Sequence, residues 1–487
     1  METVTISPLV TDNPRLRLDL HSGRRSLNTL EQTIGQLPGL SGSHGMDLGE
    51  FGPPRHAALD YEGAIALMVG RHTQGMHDRH VATLHKISSL NRGGFFFCDA
   101  ALIAELLSLA AVNLASGRSE YAPALCALLQ TLSAPFLKQR CNDDERFEEG
   151  FVSLLREVGA LAACSHTQVA VAAVDMLLTL VVPKASRGST PEGIARESVS
   201  VGLRLGTMYA QKLIAESGAT LSALSVLSPV SESARPQTLA AMRLLRVLSR
   251  AGENAKVIAG AEDFDCLFSL FRQPLSEPSL ALAVETVWNL LDCELEMTAA
   301  RLASASCVTV LTQMLERTVA GDTDSDKELR NEVIVLGTRL AQSSAEARTA
   351  LVQGGFFDAT LQLVCRGGAK GAQLVLPTQV NLELVQLTLH FQQVVLAGST
   401  TAELPPEAFE QLAAAALPAA MVELLDPRHA ATTIWSPAQL HELRMRAMTL
   451  LSNLSVARPQ ELADLPRLAP ALVEYLSATA PPALRDG

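Results

Sequence analysis

The sequence predicts an all-α, armadillo/HEAT-like helical solenoid with an extended N-terminal arm. The chain of 487 residues is 48% hydrophobic but only 4% aromatic. Its apolar residues are mainly Leu, Ala and Val, a composition that favours helices because unbranched side chains lose little rotamer freedom there. Amphipathic segments with apolar residues at i, i+3, i+4 and i+7 then follow one another along most of the chain.

Charge and hydropathy exclude several classes of protein. The formal net charge is -12, mean hydropathy is +0.19 and 18% of residues are charged, which excludes a wholly disordered chain and a generally basic nucleic-acid binder. The N-terminus lacks the basic start and apolar core of a signal peptide. The longest apolar run, Val169 to Val182, is too short to cross a bilayer. The eight cysteines form no C-x-x-C pair, so we expect reduced, mostly buried thiols in a protein of the cytoplasm or cytoskeleton that binds no membrane and no nucleic acid.

Residues 1–57 are predicted to form the extended arm. Residues 35–54 contain six glycines and three prolines, a density that helices do not tolerate. Before them lies a small basic cluster in an otherwise acidic chain, which could dock on an acidic partner; a solvated tail is the alternative. The candidate partner contacts in this cluster are Arg15, Arg17, Arg24 and Arg25.

The repeat domain is predicted at residues 58–476 and is followed by a C-terminal tail, 477–487. The shorter separations between the centres of comparable helices are roughly 45 to 51 residues, close to the period of armadillo and HEAT repeats. The aligned centres are Leu129, Leu177, Leu245, Leu290, Leu336, Leu387 and Leu451. Two segments, 244–270 and 331–364, share the order long helix, polar turn, short helix, glycine turn and further helix. Gly260, Gly354 and Gly355 are placed where an armadillo unit turns sharply before its next helix.

Searches for catalytic and metal-binding motifs give no convincing site. Ser41 lies in an incomplete nucleophile elbow, and residues 366–371 lack the ending of a phosphate-binding loop. Asp322, Asp324 and Asp326 alternate as in a calcium loop, but Lys327 replaces the glycine that the loop needs, which favours a helix N-cap. The sequence therefore predicts no enzyme, no cofactor and no metal.

One histidine-rich segment is the best metal candidate in the chain. His72, His77, His80 and His85 lie close together, and His77 and His80 could share a helix face. No Cys or spaced acidic pair completes a tetrahedral ligand set. A solvated helix end is the preferred interpretation, and a cryptic metalloenzyme using His72 to His85 ranks last among the functions considered.

The two tryptophans are expected to lie in different environments. Trp288 lies in an apolar helix and is expected in the core. Trp435 lies in a loop before a helix and is a candidate partner contact, since an exposed aromatic can anchor a partner. The residue four positions after Trp288 is Asp292, which disfavours an importin-like ladder of W-x-x-x-N pairs. The solenoid is still expected to act through its surface.

Several blocks, taken in order, resemble the cilia- and flagella-associated protein 69 family of armadillo-repeat proteins. The blocks read LSAPFLKQRCNDDERFEE, ETVWNLLDCELEMTAARLAS, DKELRNEVIVLGTRLAQ and WSPAQLHELRMRAMTLLS. The resemblance covers roughly residues 100 to 460, does not extend to the arm, and concerns a family whose members are longer than this chain.

The resemblance implies a noncatalytic structural scaffold in the central apparatus of the axoneme of motile cilia and flagella. Such a scaffold braces a projection on a central-pair microtubule and is needed for motility. The partners it implies are other central-apparatus projection proteins, with tubulin of a central-pair microtubule as a further candidate, bound by a monomer within a large hetero-complex. The alternative is a soluble armadillo-type adaptor that binds extended peptide segments in the cytoplasm.

Overall fold

A computed structural model gives the structure of the chain. It describes residues 60–70, 74–134, 136–137, 144–182, 202–203, 207–227, 235–319, 323–366, 373–374, 382–397, 406–414, 417–426 and 435–479. The predicted N-terminal arm, 1–57, lies outside the described residues.

Helices dominate the described residues. The N-terminal helices are α1 (Tyr61–Val69), α2 (Gln74–Leu90), α3 (Ala100–Ala115), α4 (Tyr121–Leu132), α5 (Asp144–Ala162), α6 (Thr167–Val181), α7 (Thr207–Ser217) and α8 (Ala219–Ser225). The central helices are α9 (Arg235–Leu248), α10 (Gly252–Gly260), α11 (Phe264–Ser269), α12 (Pro278–Cys293), α13 (Leu295–Leu302), α14 (Ala305–Val319), α15 (Asp324–Ser343), α16 (Ala345–Gln353) and α17 (Phe356–Val364). The C-terminal helices are α18 (Leu382–Leu396), α19 (Pro406–Ala414), α20 (Leu417–Leu425), α21 (Pro437–Ala457), α22 (Pro459–Ala463) and α23 (Leu468–Thr479).

Short extended and 3-10 segments complete the described structure. Two antiparallel strand pairs join β1 (Phe136–Leu137) to β2 (Gly202–Leu203) and β3 (Cys365–Arg366) to β4 (Gln373–Leu374). The 3-10 turns are Phe97–Asp99 and Leu270–Arg272. Each strand has two residues, so the fold is all-α, as the sequence predicted.

The helices form two rows. In the first row, α2, α4, α6, α9, α12, α15, α18 and α21 each pack against the next. The second row contains the intervening helices, and its neighbours also stack, for example α3 on α5, α10 on α13 and α14 on α17. We call the first row the long-helix row. Stacking of this kind buries one continuous core between successive repeats.

The leucine spacing found in the sequence identifies the long-helix row. Seven of its eight members each carry one aligned leucine, and each of these leucines is at most 7% exposed. These residues are Leu129, Leu177, Leu245, Leu290, Leu336, Leu387 and Leu451. The helix preceding them, α2, belongs to the same row and places the fully buried Leu84 in the corresponding position. The period is therefore confirmed, and the row begins one helix earlier than the aligned leucines indicate.

Glycines allow sharp turns and close helix contacts in the central repeats. Gly355, between α16 and α17, has φ +80°, a conformation that glycine adopts without strain. Gly337 lies inside α15, where an added Cβ would come within 2.3 Å of the Phe356 ring. The turn at Gly355 and the missing Cβ at Gly337 together let Phe356 pack closely on the long-helix row. Gly260, by contrast, is the last residue of α10.

The six cysteines whose side chains the structure describes are free thiols. Cys307 is buried, Cys293 is exposed and the other four are half-buried, so the expectation of mostly buried thiols is wrong.

One described helical stretch, Phe97–Ala115, is long and apolar enough to span a membrane by length and composition. Its α3 portion packs against α1, α4 and α5 and buries Ile103, Leu106 and Leu107 completely. Core helices of large proteins meet the same criterion, because a helix that is covered by other helices is apolar around much of its surface.

Candidate binding surface

The exposed face of α9 begins the best-defined polar surface on the long-helix row. Leu244, Leu245 and Leu248 are fully buried. Because residues three positions apart share one helix face, Arg243 and Arg246 fall together on the opposite side, and Arg250 follows in the turn after the helix ends at Leu248. The apolar pattern that fixes α9 in the core thus leaves the arginines on the side away from the core.

Glu285 on α12 joins two of these arginines across the helix boundary. Nη1 of Arg246 lies 3.1 Å from Oε2 of Glu285, and Nη2 of Arg250 lies 2.7 Å from Oε1. Asn289, one turn further along α12, donates its Nδ2 hydrogen atoms to the Arg246 carbonyl at 3.2 Å and to Ser249 Oγ at 3.1 Å. These contacts fix the register between α9 and α12.

The surface continues onto α15 through a fourth arginine, Arg339. Nη2 of Arg339 lies 3.1 Å from Oδ1 of Asp292. The Arg339 guanidinium carbon also lies 6.0 Å from the centroid of the Trp288 ring, within the range of a cation–π contact. Trp288 is half-buried and packs against the core, as expected. One side of its ring remains accessible.

Asp175 on α6 borders the surface on its N-terminal side. Burial raises the pKa of the Asp175 carboxyl, and the nearby Arg243 guanidinium lowers that pKa in part. Charged groups of α6, α9, α12 and α15 therefore influence one another along four consecutive helices of the row.

The chemistry of this surface suits binding. Guanidinium groups, carboxylates, an amide and an indole are presented on helices whose spacing is fixed by packing, an arrangement that recognises a partner by charge and shape. Among the described residues, no group of three or more His, Cys, Asp or Glu side chains could hold a metal ion.

Two histidines of the histidine-rich segment are buried, whereas the sequence predicted a solvated helix end. His77 and His80 are 1% and 0% exposed, so the expectation of a solvated helix end is wrong. Nδ1 of each ring lies 2.8 Å from the hydroxyl of Tyr121 on α4. The helix face that carries both rings is turned inward because α2 packs against α4. His85 is exposed, and His72 lies outside the described residues.

A backbone carbonyl fixes one hydrogen position in this cluster. His80 Nε2 lies 3.0 Å from the Leu67 carbonyl, which only accepts, so Nε2 carries a hydrogen. The Tyr121 hydroxyl, which can both donate and accept, lies between the Nδ1 atoms of His77 and His80. Burial raises the pKa of Tyr121, which keeps the hydroxyl protonated. The cluster links α1, α2 and α4 as a structural unit.

The structure describes only one of the other predicted site residues, Trp435. Arg15, Arg17, Arg24 and Arg25 lie outside the described residues. Trp435 is half-buried and packs against the core, directly before the N-cap of α21, so it is less exposed than a protruding anchor; its role as a partner contact stays a prediction.

The aspartates of the calcium-like segment form a helix cap. Thr323 accepts a hydrogen bond from the Asp326 backbone, and the Asp326 carboxylate accepts from Thr323 N at 3.2 Å. Asp324 pairs with Lys327. The predicted N-cap is confirmed, while Asp322 lies outside the described residues.

Sequence reasoning missed the surface on α9, α12 and α15. A signal is present in the sequence, because Arg243, Arg246 and Arg250 recur at i, i+3 and i+7 in and directly after an apolar helix. Glu285, which pairs with Arg246 and Arg250, lies 39 and 35 residues further along the chain, and only the helix stacking brings them together.

Two rows of stacked helices with a polar surface on one row define an armadillo-type α-solenoid. A sequence model described as "Cilia- and flagella-associated protein 69, ARM repeat" matches residues 59–464. The chain therefore belongs to the cilia- and flagella-associated protein 69 ARM-repeat family.

Individual relatives are distant. Cilia- and flagella-associated protein 69 from Callithrix jacchus is 19% identical over 408 residues, which cover 82% of this chain and 41% of the relative. The Homo sapiens protein of the same name is 19% identical over 412 residues, which cover 82% of this chain and 41% of that protein. The chain thus spans about two fifths of the length of these curated relatives.

Solved structures also show some similarity. An engineered protein has a TM-score of 0.43 at 16% identity, covering 88% of this chain and 96% of the other. A designed armadillo repeat protein has a TM-score of 0.36 at 15% identity, covering 68% of this chain and 99% of the other.

Proposed function

We propose that the chain is a noncatalytic structural scaffold of the central apparatus of motile cilia and flagella, where it braces a projection on a central-pair microtubule and is needed for motility. The family match over residues 59–464 carries this proposal. The relatives are named for their association with cilia and flagella.

The long-helix row supports a mechanical role. Each repeat contacts mainly its neighbours, so a solenoid of this kind bends as a series of small adjustments between layers. Contacts such as Arg246–Glu285 and Arg339–Asp292 cross from one layer to the next. A brace with these properties can transmit bending load between a microtubule and its projection without a catalytic step.

The proposed partners are other projection proteins of the central apparatus, and tubulin is a further candidate. The chain acts as a monomer within this hetero-complex, in the axoneme. The four arm residues Arg15, Arg17, Arg24 and Arg25 are proposed contacts; their replacement by Glu should weaken axonemal retention.

The surface on α9, α12 and α15 favours a second candidate function, a soluble adaptor for extended peptide segments. The two functions differ in where the protein resides. An adaptor would leave the axoneme on detergent extraction, whereas a scaffold would remain.

The test is to tag the protein in ciliated cells and extract axonemes with detergent and high salt, comparing wild-type cells with a mutant that lacks the central pair. We expect retention only when the central pair is present. Equal retention in both, or release from both, would contradict the scaffold function. Deletion of the protein should in turn alter the beat and remove a central-pair projection.

A further inference from the structure

The helix α9 and the turn that follows it have an unusual charge composition for this protein. Four arginines and no Asp or Glu occur from position 235 to position 250, while the whole chain has a net charge of -12. Three of these arginines, Arg243 and Arg246 on the helix and Arg250 in the turn, lie on the side away from the core, and we call them the arginine ridge.

We propose that the arginine ridge binds an extended segment of a partner protein that is rich in Glu or Asp. This inference deepens the proposed scaffold function, on which it rests, by naming the chemistry of one partner segment. Charge complementarity is the basis of the proposal.

The ridge keeps hydrogen-bonding capacity beyond its internal ion pairs. An arginine has five N–H donors, and the contacts of Arg246 and Arg250 with Glu285 involve one oxygen each. Arg243 is exposed, and its carboxylate neighbour, Asp175, forms no direct ion pair with it within the described contacts. Carboxylates of a partner can therefore bind at both ends of the ridge.

The length of the ridge fits an extended peptide. Arg243 and Arg250 are seven positions apart, or about 10 Å at the rise of a helix, and the last two of these positions lie in the turn after α9. Three residues of extended chain span about the same distance. A segment with acidic side chains at this spacing contacts both terminal arginines at once, and the accessible side of Trp288 lies on the adjoining helix.

The surroundings favour a short acidic peptide over a nucleic acid. A long polyanion would extend beyond the ridge onto a protein whose net charge is negative, and the repulsion would oppose binding. A peptide with only a few acidic residues contacts the ridge alone, so it meets little of this repulsion.

Binding to the full chain can be measured by fluorescence anisotropy with a fluorescein-labelled peptide in which every third residue is glutamate and the others are glycine. We expect saturable binding that weakens between about 0.05 M and about 0.5 M salt, because screening shortens the range of charge attraction. A Trp435→Phe variant leaves Trp288 as the remaining tryptophan of the two, and its emission should change on binding.

Two variants test the ridge directly, and a third is a matched control. The double variant Arg243→Gln with Arg250→Gln should bind about tenfold more weakly, because two charge-assisted contacts are lost. Glu285→Gln should bind about threefold more tightly, because the competing carboxylate is gone. Arg156→Gln, at an exposed position on α5 in the other row, removes the same charge and should bind as wild type does. Circular dichroism and thermal melts of each variant establish that the fold is intact.

Equal peptide affinity for the wild type and the folded double variant would overturn the proposal, as would an absence of saturable binding. Stronger binding of a single-stranded oligonucleotide of equal charge would also overturn it. Retention in axonemes is measured separately, so the ridge can fail while the scaffold function stands. Conversely, peptide binding without central-pair-dependent retention would contradict only the scaffold function.

Discussion

The segment from α3 to α6 and the segment from α10 to α18 build the same kind of layer in different ways. In the first, one long helix, α3 or α5, precedes each member of the long-helix row. In the second, two shorter helices precede it, as α16 and α17 precede α18. The long-helix row continues through both segments, so the difference is confined to the other row.

Glycines allow close helix packing in both segments. We call α3 to α6 the two-helix segment and α10 to α18 the three-helix segment, after the number of helices in each layer. In the two-helix segment, α3 packs directly on α5, and a Cβ added to Gly150 of α5 would come within 3.2 Å of Ala101. In the three-helix segment, the positive φ of Gly355 reverses the chain and brings Phe356 against α15. The comparison teaches that the row carrying the arginine ridge keeps its geometry while the other row varies.

The largest expected effect comes from Phe356→Ala in the three-helix segment. The ring is fully buried and meets Phe391 edge to face at 5.3 Å, so removing it should reduce the free energy of unfolding by about 3–5 kcal/mol. Denaturant unfolding gives the value, and hydrogen exchange should increase first in α15 to α18. Val319→Ala, at a 47% exposed position on α14, is the control; equal effects of the two changes would contradict the packing described here.

In the two-helix segment, Tyr121→Phe tests the buried histidine cluster. The change leaves Nδ1 of both His77 and His80 without its hydroxyl partner, which should cost about 1–3 kcal/mol. Exchange should rise in α2 and α4 and stay unchanged in α15. Ser89→Ala, at an exposed position on α2, should have little effect on the free energy of unfolding. If Ser89→Ala and Tyr121→Phe lowered stability equally, the buried cluster would have no specific stabilising effect.

The capping box at the start of α15 gives a smaller effect in the three-helix segment. Thr323→Ala removes the side chain that accepts from the Asp326 backbone, so we expect a loss of about 1 kcal/mol. Thr323→Ser retains the hydroxyl and should recover most of that stability in the same denaturant measurement. Failure of Ser to differ from Ala would refute the cap.

The smallest effect concerns pH dependence at the end of the three-helix segment. Burial lowers the pKa of His390 on α18 below its usual 6.5, and the charge of Arg446 lowers that pKa further. The unfolded chain therefore binds a proton at a higher pH than the folded chain, so stability should fall as pH drops below about 6.5. His390→Gln should flatten this part of the stability curve, measured by denaturation between about pH 7 and about pH 5; an unchanged slope would rule out this contribution.

Particular residues show how far the sequence leads. Leu245 and its equivalents identify the long-helix row because a core-facing leucine recurs at the repeat period. Gly355 is recognisable because a sharp turn between two helices favours glycine. His77 and His80 are visibly on one helix face, but whether that face meets water or Tyr121 depends on a residue more than 40 positions away.

The sequence by itself determined the all-α class, the repeat period, the helix cap at Thr323 and the family, because each depends on local spacing or on short blocks of residues. Only the tertiary structure decided that the histidines are buried and that Arg246 and Arg250 meet Glu285. Those outcomes depend on which helix faces become neighbours, and the stacking of layers sets that through contacts between residues far apart in the chain.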